Sequence, residues 1–236
     1  MLPANEIIAV VTGANRGIGF EISRQLARRR VRVCLTARDA YAGETAADEL
    51  RQEGLPVFFQ ALDVTDDSTI EQLADVLEKQ CGRLDILVNN AGIGARHDAP
   101  ILEVTAEALL EAFHTNCFGA LRVSQRLVPL LRRSTRGRII NISSGMGALT
   151  EMGSDLAAYR VSKTCLNAVT ATLASELRAS SIAVNAVCPG WVKTRMGGPN
   201  APLSVEQGAD TAVWLALDAP QDLSANFLRD RRVIPW

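Results

Sequence analysis

Lysine, tyrosine and histidine are scarce in this chain of 236 residues, which holds three, two and two of them. The two histidines, His97 and His114, are widely spaced along the chain. The cysteines (34, 81, 117, 165 and 188) form an odd set with no Cys-x-x-Cys pair. That excludes a zinc centre and gives no sign of a disulfide framework. Free thiols in apolar surroundings behave as small hydrophobes. No apolar run reaches the length of a membrane span, and Met1–Glu6 has neither the basic nor the long apolar stretch of a secretory leader. A formal net charge of −1 supplies no field to draw nucleic acid or an anionic membrane, and no basic–aromatic stripe replaces it. The basic residues are mostly arginine; the short clusters at 28–30 and 229–232 read as solvated helix or loop ends. What remains is the composition of an ordinary globular protein, 47% apolar and 22% charged. A cytoplasmic protein with reduced thiols is the expectation.

Apolar runs alternate with helical patterns along the whole chain. The run 7–11 ends in the glycine-rich "TGANRGIG" (12–19), and Ile18, Ile22 and Leu26 then recur every four residues. Strand patterns follow at 31–37, 57–64, 84–92, 138–144 and 182–190. Between them lie an Ala/Glu-rich helix to about Glu53, one opened by a Ser68-x-x-Glu71 capping box, a long helix over 105–131 and another over about 155–179. Ser204-x-x-Gln207 caps a last helix reaching about Leu217. Strand–helix alternation at this spacing predicts an α/β Rossmann fold: one doubly wound domain over 1–236, a parallel sheet of about seven strands with helices on both faces.

In such a sheet, ligands bind beyond the carboxyl ends of the strands. Gly13 allows the tight turn after strand one. Gly17 and Gly19 let the backbone and a helix N-terminus approach a diphosphate. An NAD site carries an acidic residue about twenty positions on; here strand two ends Thr36-Ala37-Arg38-Asp39. The Arg38 guanidinium suits a 2′-phosphate, with Arg16 as a second cation, so NADP(H) is favoured over NAD(H), although Asp39 leaves room for the latter. Tyr159 stands four positions before Lys163, on one face of a helix with Cβ atoms about 5–6 Å apart. A cation there favours the phenolate, drawing a pKa near 10 toward neutrality and making the tyrosine a usable acid or base.

Taken in order, T-G-x-x-x-G-x-G at 12–19, "NNAG" at 89–92, the serine pair 143–144, Tyr-x-x-x-Lys at 159–163 and "PG" at 189–190 resemble the short-chain dehydrogenase/reductase family. "LTARD", the "LDV" at 62–64 and the closing "DRRVIPW" are most similar to its NADPH-dependent carbonyl reductase branch. The resemblance implies reversible reduction of aldehydes and ketones, with Tyr159 donating a proton as hydride arrives from nicotinamide C4. It implies that Lys163 binds the nicotinamide ribose and lowers the tyrosine pKa. Ser144, rather than its neighbour Ser143, would hold the substrate oxygen. Asn116 would hold a water for proton supply, unless it serves a local bend or packing. Asn15, Arg16 and Ile18 join Gly13, Gly17, Gly19 and Arg38 as cofactor positions. Asp63 and Val64 would meet the adenine, and Asn90, Ala91 and Gly92 the adenosine ribose. After Pro189 and Gly190, Val192 would meet the carboxamide and Thr194 the phosphates.

Residues 194–204 predict a short cover over an open apolar pocket lined by Leu149, Met152, Trp191 and Met196; Trp191 is equally readable as core. The enzymatic alternative is a 3-oxoacyl-thioester reductase; a non-catalytic NADP(H) sensor would have lost Ser, Tyr or Lys. His97 and His114 read as surface residues. The expected partner is a small carbonyl or alcohol, with neither nucleic acid nor membrane. Lacking the long insertion that some carbonyl reductases carry before the tyrosine, the chain leans toward a homodimer or homotetramer.

Overall fold

The structure, a computed structural model, describes residues 6–94 and 98–236. Among the described residues, eight strands form one sheet in the order β3-β2-β1-β4-β5-β6-β7-β8. They are β1 (Ile7–Val11), β2 (Val31–Ala37), β3 (Val57–Ala61), β4 (Ile86–Asn89), β5 (Arg138–Ile142), β6 (Ala183–Val187), β7 (Phe227–Arg229) and β8 (Arg232–Ile234). The first seven run parallel; β8 turns back on β7 as a hairpin and accounts for the strand beyond the expected seven. The strand order reverses between β1 and β4, so the crevice for a ligand opens there.

Alternation along each strand sends side chains to two cores. Ala9 and Val11 face helices α1 (Gly17–Arg28), α2 (Ala40–Gln52) and α7 (Val205–Leu217), through Ile22, Leu26, Leu50 and Leu215. Ile8 and Val10 face α3 (Asp67–Gln80), α5 (Ala120–Leu131) and α6 (Ala157–Leu177), through Leu73, Leu127 and Leu177. Both faces are covered, which is why the strands read as unbroken apolar runs.

Three local expectations need correction. Ser68 does not cap α3: Asp66 is the N-cap, and its Oδ1 accepts from the Ser68 backbone at 2.9 Å. The carboxylate precedes Ser68 and takes both its N–H and its hydroxyl. The helix over 105–131 is not regular. α4 (Ala106–Phe113) passes through a π-helical turn, His114–Gly119, before α5. The extra residue in that turn lets the Asn116 side chain bind Ile93 while Gly119 packs on Val64. Strands three to six stop two or more residues short of the apolar runs, which continue into the loops at the sheet's carboxyl edge. The Ser204–Gln207 capping box is formed.

Candidate active site

A cleft of about 1790 Å³ runs along the carboxyl edge of the sheet. Gly13, Asn15, Arg16, Gly17, Ile18 and Gly19 line one end, with Arg38, Asp63, Val64, Asn90, Ala91 and Gly92; Ser144, Tyr159, Lys163, Pro189, Gly190, Val192 and Thr194 line the rest. Of the residues proposed from sequence, Asn116 alone is buried behind the wall.

The glycine loop fits a diphosphate. Gly13 and Gly17 have φ of +61° and +60°, in the left-handed region, and a Cβ on Gly13 would meet Ala91 Cα at 2.8 Å. A Cβ on Gly19 would lie 2.3 Å from Asn90 Nδ2, which instead donates to the Thr12 and Gly13 carbonyls at 2.8 and 3.0 Å. Among the described residues no side chain caps the N-terminus of α1, and its first turn carries no acid, so N–H groups there are left for an anion.

The end of β2 decides between the two dinucleotides. Asp39 is committed to capping α2, its Oδ1 accepting from the Ala42 N–H at 3.0 Å. Arg38 and Arg16 are exposed on the cleft and make no ion pair or hydrogen bond with the described residues. Two unpaired guanidinium groups and an occupied carboxylate suit a 2′-phosphate better than a free 2′-hydroxyl.

Tyr159 and Lys163 occupy the first turns of α6. The Leu156 N-cap is left-handed, with φ of 49°, and provides no side-chain cap. Asp98 does so from sixty residues away, accepting from the backbone N–H groups of Ala158 and Tyr159 at 2.8 and 2.9 Å. Nothing in the local pattern announces that contact. Lys163 is 4% exposed; its Nζ donates to the Ile142 carbonyl at 2.8 Å and lies 5.8 Å from the Tyr159 ring centre. Burial pulls its pKa from the ordinary 10.5 down to about 8. Burial also raises the Tyr159 phenol, while the Ser144 hydroxyl acts weakly the other way. The expectation that Lys163 depresses the tyrosine is therefore corrected for the protein's own groups. The Lys163 ammonium is directed to the Ile142 carbonyl, and loss of water on burial sets the direction for the phenol.

The two serines part company. Ser143 is buried and donates to Asn167 Oδ1 at 2.6 Å, while Asn167 Nδ2 donates to the Gly147 carbonyl. Ser144 faces the cleft and accepts from the Met146 N–H at 3.2 Å. Asn116 Oδ1 accepts from Ile93 N–H at 2.8 Å, and its Nδ2 donates to the Ile93 carbonyl and Ser162 Oγ, both at 3.0 Å. Both donors are used, and one lone pair of Oδ1 is left.

Across the cleft, the 191–199 segment is pinned by a bridge between Val192 and Leu203 and by Trp191 Nε1 donating to the Gly197 carbonyl at 2.8 Å. Trp191 is 57% exposed, a wall rather than core. Met196, Met146 and Leu156 add apolar surface, whereas Leu149 and Met152 are exposed outside the cleft lining, a correction to their expected place. Cys188 and Arg229 line it too and were not foreseen: one reads as a core residue, the other as part of a charge cluster. None of the five cysteines is bridged. His114 is exposed; His97 lies outside the described residues. Among the described residues no group of His, Cys, Asp and Glu could hold a metal, and no helix is long and apolar enough to cross a membrane.

Residues 7–202 match the family profile described as short chain dehydrogenase. The chain is similar to carbonyl reductase (NADPH) 1 of Sus scrofa, 36% identical over 283 aligned positions that cover 100% of this chain and 96% of the relative. It is also similar to (+)-neomenthol dehydrogenase of Arabidopsis thaliana, 37% identical with 96% of each chain covered. Among solved structures, an NADPH-bound carbonyl reductase from chicken fatty liver superposes with a TM-score of 0.89 at 28% identity, covering 98% of this chain and 100% of that one.

Proposed function

The chain belongs to the short-chain dehydrogenase family, and from that premise we propose that it is an NADPH-dependent carbonyl reductase. Residues 1–236 act as one dinucleotide-binding and catalytic domain. The observation that carries the reading is the meeting of Ser144, Tyr159 and Lys163 in the same cleft as the glycine loop and the unpaired Arg38.

NADPH, when bound, supplies a hydride from nicotinamide C4 to the carbonyl carbon. The turn at Gly13–Gly19 and the open N-terminus of α1 hold its diphosphate, and Arg38 with Arg16 its 2′-phosphate. Asp63 and Val64 would flank the adenine, and Asn90, Ala91 and Gly92 the adenosine ribose. After the turn at Pro189 and Gly190, the Val192 backbone would meet the carboxamide and Thr194 the phosphates. Ser144 Oγ donates a hydrogen bond to the substrate oxygen, where negative charge develops. Tyr159 gives its phenolic proton to that oxygen, leaving an alcohol and a phenolate. A phenol, with an ordinary pKa near 10, carries its proton at neutral pH, and burial shifts it further that way. Lys163 then stabilises the phenolate and holds the nicotinamide ribose, and the free lone pair of Asn116 Oδ1 accepts from the water that returns the proton.

The test is Tyr159→Phe. Turnover of NADPH with a reactive aldehyde should fall by about a thousandfold or more, while NADPH still binds by fluorescence titration; unchanged turnover would remove Tyr159 as the acid. We place the enzyme in the cytoplasm as a homodimer or homotetramer, supported by free cysteines and by the exposed apolar side chains of Leu110, Phe118 and Val161.

A further inference from the structure

Arg229, at the end of β7, lines the substrate side of the cleft with its guanidinium only weakly satisfied. Its Nε donates to Cys188 Sγ at 3.2 Å, a weak acceptor already taking the Gly145 N–H at 3.1 Å. Nη2 reaches Glu151 Oε2 only at 3.5 Å, and that carboxylate is 53% exposed. Nη1 has no partner among the described residues. Two other arginines show what a tight pair looks like here: Arg29 grips Asp218 at two points of 2.7 and 2.8 Å, and Arg160 is held by Asp155 at 2.7 Å. An ion pair as long and exposed as that with Glu151 contributes little, so the Nη1–Nη2 edge, the fork that matches a carboxylate, is available.

Its position makes that edge chemically pertinent. A Cβ on Gly145 would collide with Arg229 Nη2 and lie 3.0 Å from Glu151 Oε2, so the guanidinium rests on the backbone of the residue after Ser144, beside the Glu151 carboxylate. The side chain is one-third exposed, enough for a ligand to reach. Lys193 and Arg195, exposed on the facing 191–199 segment, add positive charge, and among the described residues Glu151 is the one carboxylate at this end of the cleft lining.

We infer that Arg229 is a specificity-determining residue: it selects carbonyl substrates that carry a carboxylate a few bonds from the reacting carbon. Glu151 is the internal counter-ion that such a substrate displaces. The inference rests on the reductase reading and narrows its substrate class to short oxo acids, with neutral carbonyls accepted less well.

The experiment compares kcat/KM with NADPH for 2-oxo, 4-oxo and 5-oxo acids against their methyl esters, in the unmodified protein, Arg229→Met and Glu151→Gln. For at least one chain length the acid should be preferred. That acid-to-ester ratio should fall about tenfold in Arg229→Met, the size of one charge-assisted hydrogen bond, with the change in KM. In Glu151→Gln it should rise a few-fold, which keeps the inference falsifiable if Arg229→Met does not fold. Calorimetric binding of the same oxo acid to NADP⁺-saturated protein, where no hydride is available, should weaken by the same factor in Arg229→Met. Esters reduced with a ratio that neither variant moves would overturn the role of Arg229 and leave the reductase standing. No turnover of any carbonyl, together with Arg229-dependent binding of the acid, would overturn the reductase reading and leave the carboxylate site standing.

Discussion

Lys163 offers a test in which the structure sets both sign and size. The ammonium is almost fully buried, with one hydrogen bond to the Ile142 carbonyl, and burial holds its pKa at about 8 rather than 10.5. A base depressed in the folded state behaves oppositely to one that gains a partner. Below about pH 8 both states carry the proton, and the folded protein bears the full cost of the buried charge, about 3 kcal/mol at about 1.4 kcal/mol per pH unit. Between about pH 8 and 10.5 the unfolded chain binds more protons, so this contribution raises stability with pH; above that window it is constant. Lys163→Met keeps the aliphatic volume and removes the charge. At pH 7 the variant should be more stable by about 2 kcal/mol, after about 1 kcal/mol is deducted for the lost hydrogen bond. That advantage should shrink by about 2 kcal/mol by pH 10. The assay is urea unfolding followed by tryptophan fluorescence at pH 7, 8, 9 and 10, reported as the difference between the two proteins so that other titrating groups cancel. A difference that stays flat with pH would refute the buried-charge reasoning. Reductase activity should collapse in the same variant, an exchange of stability for function that marks Lys163 as kept for its chemistry.

Arg38→Met should lower kcat/KM for NADPH roughly tenfold, one charge-assisted bond reduced by solvent exposure, and leave NADH nearly unchanged. Steady-state kinetics at low and high salt check this, because the loss should shrink as salt rises. Asn116→Ala leaves the Ile93 N–H and carbonyl without their partner and should cost about 2 kcal/mol of stability, read by the same urea unfolding.

The sheet was legible because both of its faces are buried, so its strands appear as apolar runs and its helices as fourfold repeats. The site was legible where the chemistry uses scarce residue types in fixed local spacing. Tyr159 and Lys163 lie one helical turn apart, and the glycines of 12–19 occupy a turn that side chains would block. What escaped depends on contacts between distant segments. Asp98 caps the helix of Tyr159 across sixty residues, and Asp66 displaces Ser68 as a cap because it stands two places earlier. The π-helical turn follows from Asn116 reaching Ile93, a tertiary bond that no helical period encodes. The spacing of Tyr159 and Lys163 gave their proximity but not their electrostatics, since burial depth and the Ile142 carbonyl set those. Leu149 and Met152 were misplaced because apolar character alone does not say which side of a loop faces the cleft.

The most direct test of the central claim is absorbance at the reduced-nicotinamide band with product analysis. Purified protein would be given NADPH and a panel of aromatic aldehydes, α-keto esters, cyclic ketones and a 3-oxoacyl thioester. The account predicts loss of NADPH matched by alcohol, mole for mole, on the free carbonyl compounds, with NADH much slower. Tight NADPH binding with no alcohol formed from any of them would contradict it.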